Sequence, residues 1–347
     1  MRFQYKPIEK QIVVLTGASS GIGLSTALEL AQRGSTVILV SRNQEALEAV
    51  ALECVARGGR ALAVAADVGH AHEVERVAQL AVEHFGGFDT WINNAGVAIF
   101  GGVEEVNLAD QRRLFDTNYW GVVHGSVVAA GHLRERGGKI INIGSVLSDR
   151  SVILQGPYCA SKHAVKAFTD TLRMELEESG APISVTLVKP SAIDTPYMEH
   201  ARNYLASNGT KNPPPSYDPR VVAKAVVYAC EHDRRDLVVG FGGWAVTALG
   251  AAAPRLTDFI MEAVGRALQE SSNRGRPAMR DNLYEARADG AERSSLPSGR
   301  LKTSLFLEAQ MHPATTAVAL AGIAGIAGVM IMRRGNRRRP AFAYEAR

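Results

Sequence analysis

Residues 11–23 read Q-I-V-V-L-T-G-A-S-S-G-I-G. A short apolar run, rich in Val and Ile, enters a turn carrying Gly17, Gly21 and Gly23 and opens at once into a helical pattern near 22–33. Glycines permit a tight turn and a close backbone approach. The first N–H groups of a helix have no intrahelical partner and point at whatever enters the turn. A strand, a glycine turn and a helix in that order describe a site suited to a pyrophosphate. The spacing is Gly-x-x-x-Gly-x-Gly, not the usual dinucleotide fingerprint. By itself a glycine triplet is also a plain flexible turn, and its position between a buried strand and a helix is what favours the binding reading.

Six more apolar runs follow: 36–42, 61–68, 90–96, 139–145, 184–190 and 237–241. Each is short and nearly all apolar, as strands buried on both faces must be. Helical patterns lie between them near 43–57, 70–85, 107–134, 158–179 and 219–232. Strand–helix alternation predicts an α/β fold: right-handed βαβ units building a seven-stranded parallel sheet with helices on both faces. Functional groups should collect at the carboxyl ends of the strands. Asp218 followed by Pro219 reads as a helix N-cap and first-turn proline. The stretch 207–217, S-N-G-T-K-N-P-P-P-S-Y, is expected to be a mobile surface loop placed to cover a substrate.

The 347 residues are 46% hydrophobic and carry a net charge of +4. Residues 333–347 hold six Arg and one Glu, so the rest of the chain is slightly acidic and the basic character belongs to a tail, not to a nucleic-acid-binding body. Cys54, Cys159 and Cys230 have no metal-ligand spacing, and no metal is expected. They fit a reducing compartment, and the N-terminus shows no signal-peptide run, so a cytoplasmic protein is expected.

Residues 157–162 read P-Y-C-A-S-K. Positions i and i+4 share a helix face, so Tyr158 and Lys162 project together. Chance produces such a pair often. As chemistry, it is an acid–base pair: a phenol titrates near ~10, and an ammonium one turn away favours the phenolate and lowers that value.

Taken in order, T-G-A-S-S-G-I-G (16–23), Asp67-Val68, N-N-A-G (93–96), Asn118, Ser145, Y-C-A-S-K (158–162) and P-S-A-I-D-T (190–195) resemble the short-chain dehydrogenase/reductase family, in its compact branch with a single doubly wound Rossmann domain. The resemblance covers roughly residues 10–243. It implies hydride transfer with a nicotinamide cofactor. Tyr158 would be the acid–base residue, and Lys162 would lower its pKa and hold the nicotinamide ribose. Ser145 would polarise the substrate oxygen, and Asn118 would hold a relay water. The cofactor would be bound by Gly17, Ser19, Ser20, Gly21, Ile22 and Gly23 at the glycine turn. Asp67 and Val68 would flank the adenine, and Asn94, Ala95 and Gly96 would line the middle. Tyr158, Lys162, Pro190, Ile193 and Thr195 would lie at the nicotinamide end. The family usually has Pro-Gly where this chain has Pro190-Ser191, which puts the geometry of that loop in question.

The second strand ends Ser41-Arg42-Asn43, without the carboxylate that binds NAD ribose hydroxyls. Arg42 can instead fork onto a 2′-phosphate, so NADP (as NADPH) is expected, with NAD the less favoured alternative. Val97, Leu147, Ile153, Gln155 and loop 194–217 are expected to face a hydrophobic alcohol or carbonyl substrate. The rivals are a 3-oxoacyl-thioester reductase with the same catalytic set and a non-catalytic NADP-binding scaffold or sensor. The family also implies a homo-oligomer through the helices at 107–134 and 158–179.

The expected organisation is a catalytic domain over 8–253, a helical extension over 254–270, and a disordered linker over 271–312. Beyond these come an Ala/Gly-rich segment over 313–332 and a basic tail over 333–347. The uncharged twenty residues 313–332 have the length of a membrane segment but marginal hydrophobicity. A membrane contact through 313–339, with the arginines on anionic lipid, stands against a soluble alanine-rich helix.

Overall fold

The computed structural model describes residues 5–205, 209–275, 281–287, 290–297, 299–318 and 321. Val13, Val14 and Leu15 of the first strand are shielded on both faces, as a strand in the middle of a layered fold must be. The sheet strands are β1 (Ile12–Thr16), β2 (Thr36–Ser41), β3 (Arg60–Ala65), β4 (Thr90–Asn93), β5 (Gly138–Ile143), β6 (Ile183–Pro190) and β7 (Asp236–Val239). Their order is β7-β6-β5-β4-β1-β2-β3, with every pairing parallel. Direction of winding reverses between β1 and β4, and the carboxyl ends of the strands beside that point form the natural ligand crevice.

The helices are α1 (Gly21–Gln32), α2 (Gln44–Ala56), α3 (Ala71–Phe85), α4 (Leu108–Phe115), α5 (Gly121–Leu133), α6 (Gly156–Glu178), α7 (Pro219–Glu231), α8 (Phe241–Ala252) and α9 (Pro254–Gln269). Local signals set several of their starts. Asn43 accepts from the Ala46 N–H at 3.0 Å, Asn107 from Asp110 at 2.8 Å, and Asp218 from Arg220 at 3.1 Å. The single long helix expected over 107–134 is interrupted: Asp116–Trp120 is a π-turn between α4 and α5, and Asn118 sits in it. Such turns widen a helix by one residue and re-aim its side chains.

One buried polar network ties the middle of the sheet to α5 and α6. Trp91 Nε1 donates to Asn93 Oδ1 at 2.8 Å, and Asn93 Nδ2 donates to Asn142 Oδ1 at 2.8 Å and Ser126 Oγ at 3.0 Å. Asn142 Nδ2 completes the chain on Thr169 Oγ1 at 2.9 Å. The three cysteines are buried and unbridged, and burial pushes the Cys54 thiol up to about 11 and that of Cys230 to about 12.

The chain forms two compact units, Met1–Ser304 and Leu305–Arg347. The expected boundary at 253 lies inside the first of these units, and the expected linker over 271–312 runs from the first into the second. Residues 281–287 and 290–301, where described, are pinned by side chains of the first unit, and Leu283 is fully buried. Their charges read as linker-like because their partners lie up to 267 residues away in sequence. The described part of the 207–217 stretch is held as well: Gly209–Thr210 pairs with Glu270–Ser271, and Ser216–Tyr217 with Arg300–Leu301. In the second unit, Leu305–Met311 is helical. Among the described residues no helix is long and apolar enough to cross a membrane. Most of the expected membrane segment 313–332, and the whole basic tail 333–347, lie outside the described residues.

Candidate active site

At the carboxyl edge of the sheet the loops after β1 to β6 surround one cavity of about 560 Å³. Every residue assigned from the sequence to catalysis or cofactor binding lines it except Asn118. Gly17 has φ +67°, and a Cβ on Gly23 would lie 1.9 Å from the Gly17 carbonyl oxygen, so the turn closes only on glycine. A Cβ on Gly21 would meet Thr195 Cβ at 3.1 Å, which places the loop after β6 against the glycine turn. Asn94 Nδ2 braces the turn through the carbonyls of Thr16 (2.9 Å) and Gly17 (3.1 Å).

Ser145 caps a short helical turn, Val146–Ser148: its Oγ accepts from the Leu147 N–H at 3.0 Å, and Ser148 Oγ accepts from the Ser145 N–H at 3.1 Å. Pro157 starts α6, and the buried stripe Tyr158, Lys162, Val165, Thr169, Arg173 faces the sheet. Tyr158 and Lys162 therefore reach the same end of the cavity. The Tyr158, Ser145 and Tyr197 side chains line the cavity together. Lys162 Nζ donates to the Ile143 carbonyl at 2.8 Å.

The electrostatics differ from the sequence expectation. Burial pushes the Tyr158 phenol up to about 12, although hydrogen bonds from Tyr197 and Ser145 act the other way. Burial alone pulls Lys162 down to about 8. Desolvation disfavours both charged forms, and it outweighs the attraction an ammonium would exert on a phenolate. In the protein by itself the phenol is held protonated.

Asn118 is fully buried below the cavity. Its Oδ1 accepts from the Val97 N–H at 2.8 Å, and its Nδ2 donates to the Val97 carbonyl at 3.0 Å and Ser161 Oγ at 3.1 Å. Both of its N–H groups are thus engaged by protein. Asp67 is held below the usual carboxylate range by Arg113 and by the Gly69 N–H, against the opposing effect of burial. The Arg42 guanidinium donates to the carbonyls of Leu283 (3.2 Å), Tyr284 (3.1 Å) and Asn282.

Several lining residues had no local sequence signal. Tyr197, by contrast, belongs to the loop 194–217 expected at the substrate, and it packs edge-on to Tyr158 with ring centroids 5.8 Å apart. Val246, Met261 and Leu268 bring α8 and α9 into the wall, and Asn282, Ala286 and Arg287 bring in the C-terminal segment. Of the expected substrate residues, Val97, Leu147 and Gln155 line the cavity. Ile153 instead packs behind it against Gly265, where a Cβ would meet its Cγ1 at 2.9 Å.

The cleft fits a nicotinamide dinucleotide. The glycine turn leaves room beside a helix N-terminus for a pyrophosphate. The hydroxyls of Thr117 and Ser191, both on residues lining the cavity, are buried without a hydrogen-bond partner. Ser191, the departure from the family's Pro-Gly, is thus a donor at the carboxyl end of β6 rather than mere bulk.

Residues 11–205 match the family model for short chain dehydrogenases. The chain is 40% identical over 324 residues to the Bacillus subtilis protein named uncharacterized oxidoreductase YxnA, covering 93% of this chain and 91% of that one. A Burkholderia phymatum short-chain dehydrogenase/reductase solved with NAD superposes with a TM-score of 0.64 at 26% identity, over 74% of this chain and 96% of its own. An alcohol dehydrogenase from Thermococcus sibiricus, solved with 5-hydroxy-NADP, gives 0.58 at 26% identity, over 66% of this chain and 95% of its own. With the parallel sheet, the glycine turn at the switch point and the family model over more than half its length, the chain belongs to the short-chain dehydrogenase/reductase family of NAD(P)-dependent oxidoreductases.

Proposed function

We propose that the protein reduces the carbonyl of a hydrophobic small molecule to an alcohol with NADPH, through Tyr158, Lys162, Ser145 and Asn118. The observation that carries this reading is that Tyr158, Lys162 and Ser145 line one cavity together with the glycine turn. The cofactor supplies the hydride. Ser145 Oγ–H and Tyr158 Oη–H converge on the substrate oxygen, where two donors stabilise the developing negative charge. Tyr158 gives up its proton to that oxygen; a phenol held protonated by burial suits the reducing direction. Lys162 stands one turn below to balance the phenolate left behind. Asn118 fixes the backbone at Val97 and the Ser161 hydroxyl, and so holds the floor on which Tyr158 rests.

An apolar wall of Val97, Leu147, Val246, Met261 and Leu268 supports a hydrophobic substrate. NADPH is favoured by the missing carboxylate after β2 and by Arg42 on the cavity lining, whose fork reaches a 2′-phosphate if it shares it with the carbonyls it now holds. The test is a panel of free aldehydes, ketones and acyl thioesters, each assayed with NADPH and NADH at the nicotinamide absorbance. Turnover of apolar free carbonyls with NADPH supports the reading. Turnover of thioesters alone would make the enzyme an acyl-thioester reductase, and none with any substrate would leave a binding protein.

Homodimerisation through α5 and α6 is supported by the exposed apolar side chains of Val127 and Met174. Light scattering of the full chain checks it.

A further inference from the structure

The described residues of 281–301 (281–287, 290–297 and 299–301) border the cofactor cleft and are tied to both of its rims. On the glycine-turn side the Gly290 N–H donates to the Ser19 carbonyl at 2.9 Å, and the Gly21 N–H donates to the Ala291 carbonyl at 2.9 Å. Ser25 Oγ donates to Glu292 at 2.7 Å. Further along that rim, Arg42 holds the carbonyls of 282–284 and Asn43 Nδ2 that of Arg287 at 3.2 Å. On the opposite rim, after β6 and at the start of α7, Ser294 Oγ donates to Asp194 at 2.6 Å and Ser295 Oγ to Glu199 at 2.7 Å. Arg293 pairs with Asp218 at 2.9 Å, and Glu292 with Arg220 at 2.7 Å.

Two observations decide whether this segment fills the cleft or walls it. The cavity of about 560 Å³ persists with the segment in place, and Asn282, Ala286 and Arg287 are part of its lining. That volume lies within the range of sites that bury a small ligand. Leu283 is fully buried beside Val97, Leu114 and Tyr158, so the segment is anchored in the core rather than laid on the surface.

We infer that residues 281–287 and 290–297 are a built-in outer wall of the dinucleotide site, a strap that holds the cofactor in the cleft and slows its release. The strap rests on the proposed function in that its ligand is the nicotinamide cofactor. It predicts that the bound cofactor occupies the cavity lined by the glycine turn on one side and by Asn282, Ala286 and Arg287 on the other, and that entry and exit require the strap to lift.

The test uses the full chain loaded with NADPH. Hydrogen exchange of the 281–297 peptides is followed with and without NADPH, and release of NADPH fluorescence is followed after a chase with excess NADP. The expected results are slower exchange across the strap when NADPH is bound, and NADPH release at least ~10-fold faster in the Ser294→Ala/Glu292→Gln double variant than in the wild type. Faster strap exchange on binding would mean that the segment is a plug displaced by cofactor, and equal release rates would mean that it restrains nothing; either overturns the wall. The exchange measurement needs no variant, so a misfolded double variant does not spare the proposal. Failure of the wild type to bind NADPH or NADH at all would instead remove the proposed function, and the strap with it.

Discussion

Lys162 Nζ lies 5.7 Å from the centre of the Tyr158 ring, and its hydrogen bond goes to the Ile143 carbonyl at 2.8 Å. The two groups are neighbours without a mutual hydrogen bond. Each is pushed by burial towards its neutral form, Tyr158 to about 12 and Lys162 to about 8. The protein therefore holds a buried ammonium at neutral pH at a cost in stability.

That storage has a pH signature. The folded-state value of Lys162 lies below the ordinary lysine value, so the folded state binds fewer protons than the unfolded chain between them, and stability rises with pH across roughly 8 to 10.5. Lys162→Met removes the penalty but leaves the Ile143 carbonyl without this donor, which costs about 1 kcal/mol. The variant should gain on the wild type by a few kcal/mol below about pH 8 and lose that relative gain as pH climbs towards ~10.5. Urea unfolding at pH 7 and at pH 9.5 checks it, and a pH-independent difference would show that the amine is not held in this way.

Gly23→Ala should damage the cofactor turn without abolishing the fold. The new Cβ meets the Gly17 carbonyl oxygen at 1.9 Å and Asn94 Nδ2 at 2.7 Å, so the backbone of the turn must move. Overpacking of this kind costs about 1–3 kcal/mol, and a site distorted by that much loses roughly tenfold or more in affinity. Fluorescence titration with NADPH reads it, with far-ultraviolet circular dichroism confirming that the sheet is intact.

Asn93 illustrates a motif residue whose work is structural. It accepts from Trp91 and donates to Asn142 and Ser126 in the buried centre of the sheet. Asn93→Ala strands those partners, each a buried polar group, and should cost about 2–3 kcal/mol, or about 3–5 °C in melting temperature. Differential scanning calorimetry measures the loss.

The strands and helices of the catalytic domain were legible because their signals are local. Val-rich runs, Asn43, Asn107 and Asp218 at N-caps, and Pro157 and Pro219 in first turns each act within one helical turn. The glycine turn and the Tyr158–Lys162 spacing were legible for the same reason. The residues that escaped notice depend on long-range pairing. Arg300 meets Asp194, Glu292 meets Ser25, and Tyr284 meets Asp110 only once the sheet has formed. In sequence their charges look like those of a solvated linker. The direction of the Tyr158 shift escaped too, because the spacing to Lys162 is written in the sequence and the depth of burial is not.

The most direct test of the whole account is made on the Tyr158→Phe variant, by titrating it with NADPH and then assaying carbonyl reduction on the same sample. The account predicts NADPH affinity within about twofold of the wild type and a loss of turnover of about 10²–10⁴-fold, the range a positioned proton donor supplies. Turnover that survives the loss of this hydroxyl would contradict it.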